Sequence, residues 1–369
     1  MERKLRVALL FGGRSAEHDV SLMSAANVFR ALDPARYEVV PIAVARSGAW
    51  MLCPLVEGRF PTEVPPDGPL LALLPGGCGR LVVAPNDDAE FEPPAAVDVI
   101  FPVLHGPFGE DGSVQGLCEL AGVPYVGASV FASAAAMDKD AAKRLLRDAG
   151  LPIVRFRAVT EADAPSFAEL VAELGRPLFV KPARLGSSVG VGQADTAEEF
   201  AAALREAFRH ARKVLVEECM RGREVECGVI EDADGTLTTS LPGEIVPTNR
   251  HAFYTYEAKY LDQDGAVLKV PADIPKAVVN RIQDMSARAF RALGCEAMAR
   301  VDFFLRPDMG VVVNEVNTIP GFTDISMYPL AFKASGVPSP ELVDRLIRHA
   351  LARAGHAPAS GREPVGRRC

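Results

Sequence analysis

An apolar run, Leu5–Phe11, stops at Gly12-Gly13. It is followed by an amphipathic stretch, Val20–Leu32, and a second apolar run, Tyr37–Ala45. The change from a continuous apolar run to a helical stripe and back predicts strand, loop, helix, strand. Such an opening predicts a parallel, Rossmann-like sheet. Sheets of this kind bind ligands beyond the carboxyl ends of their strands. Two loops are therefore singled out, Gly12–Glu17 and the segment after a further expected strand, Val97–Leu104.

The chain has 369 residues, enough for two or three packed units. The Pro- and Gly-rich segment Ser47–Pro94 has weak periodicity and reads as an insertion at the edge of the first unit. Gly112–Gly122 reads as a helix and Ser129–Ala149 as one long helix. Pro152–Ala158 and Leu178–Lys181 read as strands around a helix. Thr196 and Glu199 form a capping box ahead of Phe200–Arg209, and Val214–Cys219 is a strand. An antiparallel series follows, with strands Glu224–Ile230, Leu237–Val246, Ala299–Leu305 and Val311–Asn317 and a helix Pro275–Leu293. Ser339-Pro340 starts a last helix that runs to about Arg353. These elements divide the chain into 1–128, with the insertion at about 47–94, then 129–216, 217–354, and a polar tail 355–369 expected to be disordered. No internal repeat is visible.

Composition excludes several classes of function. A net charge of −8 argues against a nucleic-acid binder driven by phosphate neutralisation. The first apolar run is too short for a signal peptide, and no stretch approaches the roughly 18 apolar residues of a membrane span. A cytoplasmic protein is expected. The seven cysteines contain no Cys-x-x-Cys pair, so reduced, mostly buried thiols are expected rather than zinc or redox chemistry.

The strand 311–317 carries the most chemistry. Side chains alternate along a strand, so Glu315 and Asn317 share a face, as do Arg300 and Asp302 on the strand before it. If the two strands pair, three oxygen ligands and a guanidinium converge. Polar residues at the end of a Val-Val-Val run cost stability unless exposed or paired. Oxygen donors without His or Cys suit Mg²⁺ rather than zinc. The structural alternative is a solvent-facing hairpin.

Four further segments add to this. Lys181-Pro-Ala-Arg-Leu-Gly-Ser-Ser-Val-Gly190 runs from a strand-end lysine into small residues, a loop whose N–H groups can approach phosphate closely. It is not the P-loop pattern, and most such loops are only turns. Val214–Met220 followed by Glu224 can offer backbone to an adenine edge and a carboxylate to ribose, or simply be a strand end. His105-Gly-Pro-Phe-Gly-Glu-Asp-Gly112 follows a strand of the first sheet, so His105 and Glu17 face one cleft if that sheet forms. Phe253–Tyr260 holds three of the chain's six tyrosines. That density suggests a lid, with an aromatic hairpin tip as the alternative.

Taken together these segments resemble the D-alanine–D-alanine ligases of the ATP-grasp superfamily, from about Leu5 to Arg353. The motifs that carry the resemblance are Gly12-Gly-Arg-Ser-Ala-Glu-His18, His105–Gly112, Met137-Asp-Lys139, Lys181–Gly190, Tyr256-Glu-Ala-Lys-Tyr260, Arg300-Val-Asp302 and Glu315-Val-Asn-Thr-Ile-Pro-Gly321. The fold it implies is α/β, in part α+β: an ATP-grasp fold behind an N-terminal Rossmann-like parallel-sheet domain. The activity it implies is ATP-dependent joining of two D-alanines through a D-alanyl phosphate, for peptidoglycan precursor synthesis, with two Mg²⁺ or Mn²⁺ ions per site and a homodimer.

The resemblance also assigns roles. Lys139 and Lys181 would hold ATP phosphates, with Ser187 and Ser188 in the loop above them. Glu217, the Glu218–Cys219–Met220 backbone and Glu224 would hold adenosine. Cys219 stands where an aromatic residue is common. Asp302, Glu315 and Asn317 would bind the metals. Glu17 would meet the first D-alanine's ammonium with His105 beside it, and Ser326 the second carboxylate. Glu17, Ser187 and Tyr260 would close the loop over the site, and Lys259 would reach the γ-phosphate. Arg300 and the Gly321 N–H would form the oxyanion hole. The alternatives are a D-alanine–D-lactate ligase and a non-catalytic ATP-binding module. Relatives that use D-lactate replace the lid tyrosine by phenylalanine or carry a histidine-bearing lid, so Tyr260 points to D-alanine as acceptor.

Overall fold

The structure is a computed structural model that describes residues 3–83, 94–186, 189–248 and 266–356. The opening is the expected one. Strand β1 (Leu5–Gly12) is followed by helix α1 (His18–Ala31) and strand β2 (Tyr37–Val44). β1 lies parallel to β2 and, on its other side, to β6 (Val99–Pro102). Val7–Phe11 are fully buried, which is why this strand reads as a continuous apolar run rather than an alternating one. Helix α2 (Ser113–Ala121) packs Val114 and Cys118 into a core on one face of this sheet.

The segment expected as an insertion is part of the sheet. β3 (Trp50–Leu52), β4 (Leu70–Leu73) and β5 (Leu81–Val83) extend it antiparallel in the order β5-β4-β3-β2-β1-β6. Each strand is only three or four residues long, too short to show a period between Pro and Gly residues. Residues 84–93 of that segment lie outside the described residues.

The central unit holds a four-stranded antiparallel sheet. β7 (Phe156–Thr160), β8 (Leu178–Pro182), β9 (Gly192–Ala194) and β10 (Lys213–Glu218) run in the order β7-β10-β8-β9. Helices α5 (Phe167–Leu174) and α6 (Ala197–His210) cover it, and both start on capping boxes, Ser166/Glu169 and Thr196/Glu199.

The helix expected over 129–149 is two helices, α3 (Val130–Met137) and α4 (Lys139–Asp148). Asp138 is extended between them, and its carboxylate caps the second by accepting from the Asp140 and Ala141 N–H groups. The same carboxylate pairs with Lys213 at 2.8 Å and Arg184 at 2.9 Å. An apolar period cannot register such a break, because it uses one residue and keeps both helices on the same core.

The third unit is a six-stranded sheet. β11 (Arg223–Glu231), β12 (Leu237–Thr239), β13 (Gly243–Pro247), β14 (Ala266–Lys269), β15 (Met298–Leu305) and β16 (Val311–Asn317) form it, with helix α7 (Lys276–Ala292) packed behind. The strand expected over 237–246 breaks into β12 and β13 around Ser240–Pro242, where the Ser240 N–H donates to the Gly228 carbonyl at 2.8 Å. Helix α8 (Met327–Ala334) has no counterpart among the expected elements. The last helix, α9 (Ser339–His356), packs on more than the sheet that precedes it. Its Leu342, Val343, Leu346 and Ile347 share one core with Val7, Leu9 and Phe11 of β1. The C-terminal helix therefore ties the third unit to the first.

Cys118, Cys227 and Cys295 are buried free thiols that burial holds well above the ordinary thiol range, up to about 12, 11 and 12. Cys53 is buried and free as well, and Cys219 is free and half-buried. No helix among the described residues is long and apolar enough to cross a membrane.

Candidate active site

Strands β15 and β16 pair antiparallel with Arg300 opposite Asn317 and Asp302 opposite Glu315. Directly opposed residues face the same side of a sheet, so the four side chains converge. The register shifts immediately after, and Phe303 faces Val313. Asn314 is thus the extra residue of a β-bulge, which explains why the apolar run of β16 turns polar there. Bulges of this kind re-aim side chains at the rims of functional sites.

The donors are neither solvent-facing nor loose. Arg300 donates through Nε and Nη2 to the two Asp302 oxygens, both at 2.7 Å, and the Asn317 amide donates to Asp302 at 3.0 Å. Glu226 of β11 stands 2.9 Å from Arg300 Nε. No group of three or more His, Cys, Asp or Glu side chains forms a metal cluster among the described residues. The donor set is instead two carboxylates and an amide on adjacent strands, a hard-oxygen set that fits Mg²⁺ or Mn²⁺.

This strand end opens on a cleft lined by Glu17, His105, Glu110, Lys139, Gly186, Arg300, Glu315, Asn317 and Gly321. The loop after β16, residues 318–326, is held from the first unit by four side chains. His105 Nδ1 meets the Ile319 carbonyl at 3.1 Å. Ser24 accepts from the Phe322 N–H at 3.1 Å, and Asn27 donates to the Phe322 carbonyl at 2.8 Å. Glu110 accepts from the Ile319 N–H at 3.3 Å and from the Gly106 N–H at 2.6 Å.

Two of these groups have displaced acidities. Burial lowers the His105 pKa despite the neighbouring Glu17, so the ring is neutral. It then donates to Ile319 from Nδ1 and accepts from Ser24, 3.3 Å from Nε2. Burial and then the Glu17 carboxylate raise Glu110 to about 8, so it holds its proton at neutral pH. His105 thus lines the cleft as a strut, with both ring nitrogens engaged by protein.

Glu17 sits at the start of α1 between two glycines. A β-carbon at Gly106 would fall 3.0 Å from its carboxylate and one at Gly186 3.7 Å. The absence of a side chain at Gly106, whose φ is +72°, lets that loop close on the carboxylate, whereas 3.7 Å at Gly186 is ordinary contact. On the far side a β-carbon at Gly321 would fall 2.7 Å from Ser326 Oγ, so that position needs glycine too. Ser326 Oγ is 2.7 Å from Thr323 Oγ1 and accepts from the Thr323 N–H at 2.9 Å.

The expected nucleotide side is built around one buried acid. Glu217, only 2% exposed, pairs with Lys181 at 2.7 Å and Lys143 at 3.1 Å. The latter contact is close enough for an ion pair but off the line of a hydrogen bond. Burial alone would raise the Glu217 pKa; the two lysines outweigh it and bring it down to about 2. Lys181 stays charged because Glu217, Glu315 and Glu224 together outweigh its burial. Lys139, first residue of α4, is placed by the break at Asp138. Its N–H donates to the Ala183 carbonyl at 2.9 Å, and its ammonium donates to the Leu185 carbonyl, so it reaches across the loop expected to hold phosphate. The Glu218 N–H is taken by the Arg155 carbonyl at 3.1 Å and its carboxylate by the Arg155 guanidinium at 2.7 Å, while Cys219 and Met220 continue half-buried beyond the strand.

Ser187, Ser188, Lys259 and Tyr260 lie outside the described residues. The residues missed in the sequence are Glu110, Ser24, Asn27, Lys143 and Glu226. Glu110 was within a noticed motif, but only the fold shows that it reaches the loop after β16. The other four sit in ordinary helix and strand patterns.

The N- and C-terminal parts of the chain match the family models described as D-ala D-ala ligase N-terminus, over residues 6–128, and D-ala D-ala ligase C-terminus, over residues 145–348. The D-alanine–D-alanine ligase A of Mesorhizobium japonicum is 59% identical over 96% of this chain and 99% of its own length. The solved D-alanine–D-alanine ligase of Coxiella burnetii superposes with a TM-score of 0.83 at 37% identity, over 95% of each chain. The VanG D-Ala:D-Ser ligase of Enterococcus faecalis does so with a TM-score of 0.82 at 34% identity, over 94% of this chain and all (100%) of that one. With both halves of the sequence matched and the whole fold shared, the chain belongs to the D-alanine–D-alanine ligase family, enzymes of the ATP-grasp fold.

Proposed function

We propose that the protein joins two D-alanines with ATP, giving D-alanyl-D-alanine, ADP and phosphate as a step of peptidoglycan precursor synthesis. The observation that carries the reading is the convergence of Arg300, Glu315 and Asn317 on one cleft with Glu17 and Gly321, with Asp302 paired to Arg300 and opposite Glu315 beside them. That cleft combines donors for a divalent cation, an acid for an ammonium, and a guanidinium with a backbone N–H for an oxyanion.

A carboxylate does not acylate an amine at neutral pH. Transfer of the γ-phosphoryl group to the first D-alanine's carboxylate makes an acyl phosphate and releases ADP. Asp302, Glu315 and Asn317 would hold two Mg²⁺ or Mn²⁺ ions, which supply charge neutralisation for phosphoryl transfer. Lys139, Lys181 and the loop bearing Ser187 and Ser188 hold the phosphates. Glu217, the 218–220 backbone and Glu224 hold adenosine.

Glu17 fixes the first ammonium and so orients its carboxylate. The second D-alanine, anchored by Ser326, loses a proton and attacks the acyl carbon. A C–N bond forms, the C–O bond to phosphate breaks, and phosphate leaves. Arg300 and the Gly321 N–H face the oxyanion of the tetrahedral intermediate, a donor set worth about 3 kcal/mol per group. Water must be kept from the acyl phosphate, which gives the tyrosine-rich segment with Lys259 and Tyr260 its use as a lid. A homodimer in the cytoplasm belongs to the same reading.

The test is phosphate release and product identity with ATP, Mg²⁺ and D-alanine alone. Parallel reactions contain L-alanine alone, or D-alanine together with D-lactate or D-serine. Dipeptide from D-alanine alone, with one phosphate per bond, is expected. Preferential formation of a mixed product when D-lactate or D-serine is present would replace the acceptor. No phosphate release in any arm would leave a non-catalytic nucleotide-binding protein.

A further inference from the structure

Glu226 has no part in the reaction as just described, yet it is buried beside the metal strands, 7% exposed. The register places it opposite Asp302 across β11 and β15, as Glu315 is opposite Asp302 across β15 and β16. Three carboxylates therefore form one row across three strands. Arg300 lies one pleat away, 2.9 Å from Glu226 and 2.7 Å from Asp302.

Both Asp302 oxygens serve the Arg300 fork. The reading above asks the same oxygens to face a divalent cation. A guanidinium cannot be deprotonated, and losing its partner in a half-buried site costs several kcal/mol. Asp302 thus has two competing cations, one of them covalently fixed within the site. A second carboxylate, Glu226 at 2.9 Å from the same Nε that meets Asp302, changes that competition. It keeps Arg300 paired while Asp302 turns away, and it keeps the guanidinium at the oxyanion position.

Resting on the proposed roles of Arg300 and Asp302, we propose that Glu226 is a positioning residue that anchors Arg300 and thereby releases Asp302 to the metal. The carboxylate touches no substrate. It acts through Arg300 on both the cation site and the oxyanion site.

The experiment uses the full chain and its Glu226→Gln variant, which keeps the shape and removes the charge. Manganese affinity is measured by electron paramagnetic resonance in the presence of a non-hydrolysable ATP analogue. Turnover with D-alanine is measured as a function of Mg²⁺. The expected result is manganese binding weakened about tenfold, the size usual for loss of a group that supports a metal ligand. Turnover at saturating Mg²⁺ falls as well, while the nucleotide KM is little changed. A merely structural role lowers the melting temperature and leaves the metal dependence alone.

A folded Glu226→Gln protein with wild-type manganese affinity and wild-type Mg²⁺ dependence overturns the proposal. If that variant does not fold, Glu226→Asp, which keeps the charge but withdraws it from Arg300, is read by the same two measurements. The two readings fail separately. A wild-type protein that makes no dipeptide while Glu226→Gln still weakens manganese refutes the acceptor chemistry and supports the anchor. An active wild-type protein with an indifferent variant does the reverse.

Discussion

Two charge clusters, one around Glu217 and one around Asp302, differ in what they are built to tolerate. Around Glu217, two lysines meet one acid, and Lys143 and Glu217 are each no more than 2% exposed. Around Asp302, one guanidinium meets two acids, and the Asn317 amide donates to Asp302. The first cluster keeps Lys181 charged among carboxylates, while burial lowers the Lys143 pKa. The second has a surplus of negative charge and suits metal. The buried Lys143–Glu217 pair makes the first a fixed scaffold, while in the second two acids share one guanidinium, so a partner can be exchanged.

The contrast can be broken first at Lys143. Lys143→Met removes one partner of a buried acid, and a stability loss of about 3–5 kcal/mol is expected in urea denaturation. A loss within about 1 kcal/mol, the range of an exposed pair, would mean that this cluster is as adaptable as the other.

At the second cluster the larger effect should fall on turnover. Arg300→Ala is expected to slow dipeptide formation about a hundredfold or more, equivalent to about 3 kcal/mol, with nucleotide binding retained in calorimetry. Near-normal turnover would remove Arg300 from the oxyanion site.

The pH dependence of stability sharpens the comparison with the smallest perturbation. Glu217 has its pKa lowered to about 2, so its contribution is present above the ordinary carboxylate range and is lost as pH falls through 2. Glu110 is raised to about 8, so its contribution is complete below about 4.5 and is lost as pH rises through 8. Between those values, the melting temperature of Glu110→Gln should fall less with rising pH than that of the wild-type protein. Parallel melting curves across that window would show that Glu110 is ionised in the native state.

The metal strands and the first sheet were legible in the sequence because each is a local pattern. A buried parallel strand is continuously apolar, and a period of two puts Glu315 beside Asn317 whatever else the chain does. The pairing of Arg300 with Asn317 and Asp302 with Glu315 was conditional there and is a register in the fold. The helix break at Asp138 and the short strands β3–β5 were not legible. One depends on a cap made by a single side chain, and the others on neighbours that only the completed sheet supplies.

Gly12–Glu17, His105–Gly112 and Glu315–Gly321 announced by themselves which loops matter, since glycine placement and strand alternation are written in consecutive residues. Their mutual grip was decided by the tertiary structure. Ile319 meets His105 and Glu110 across more than two hundred positions, and Arg300 meets Glu226 from a neighbouring strand. Such contacts follow from strand order and from how the units pack. One-dimensional patterning carries no information about which of several buried acids will stand beside a given cation. That choice, which sets the ionisation of Glu110 and the freedom of Asp302, belongs to the fold alone.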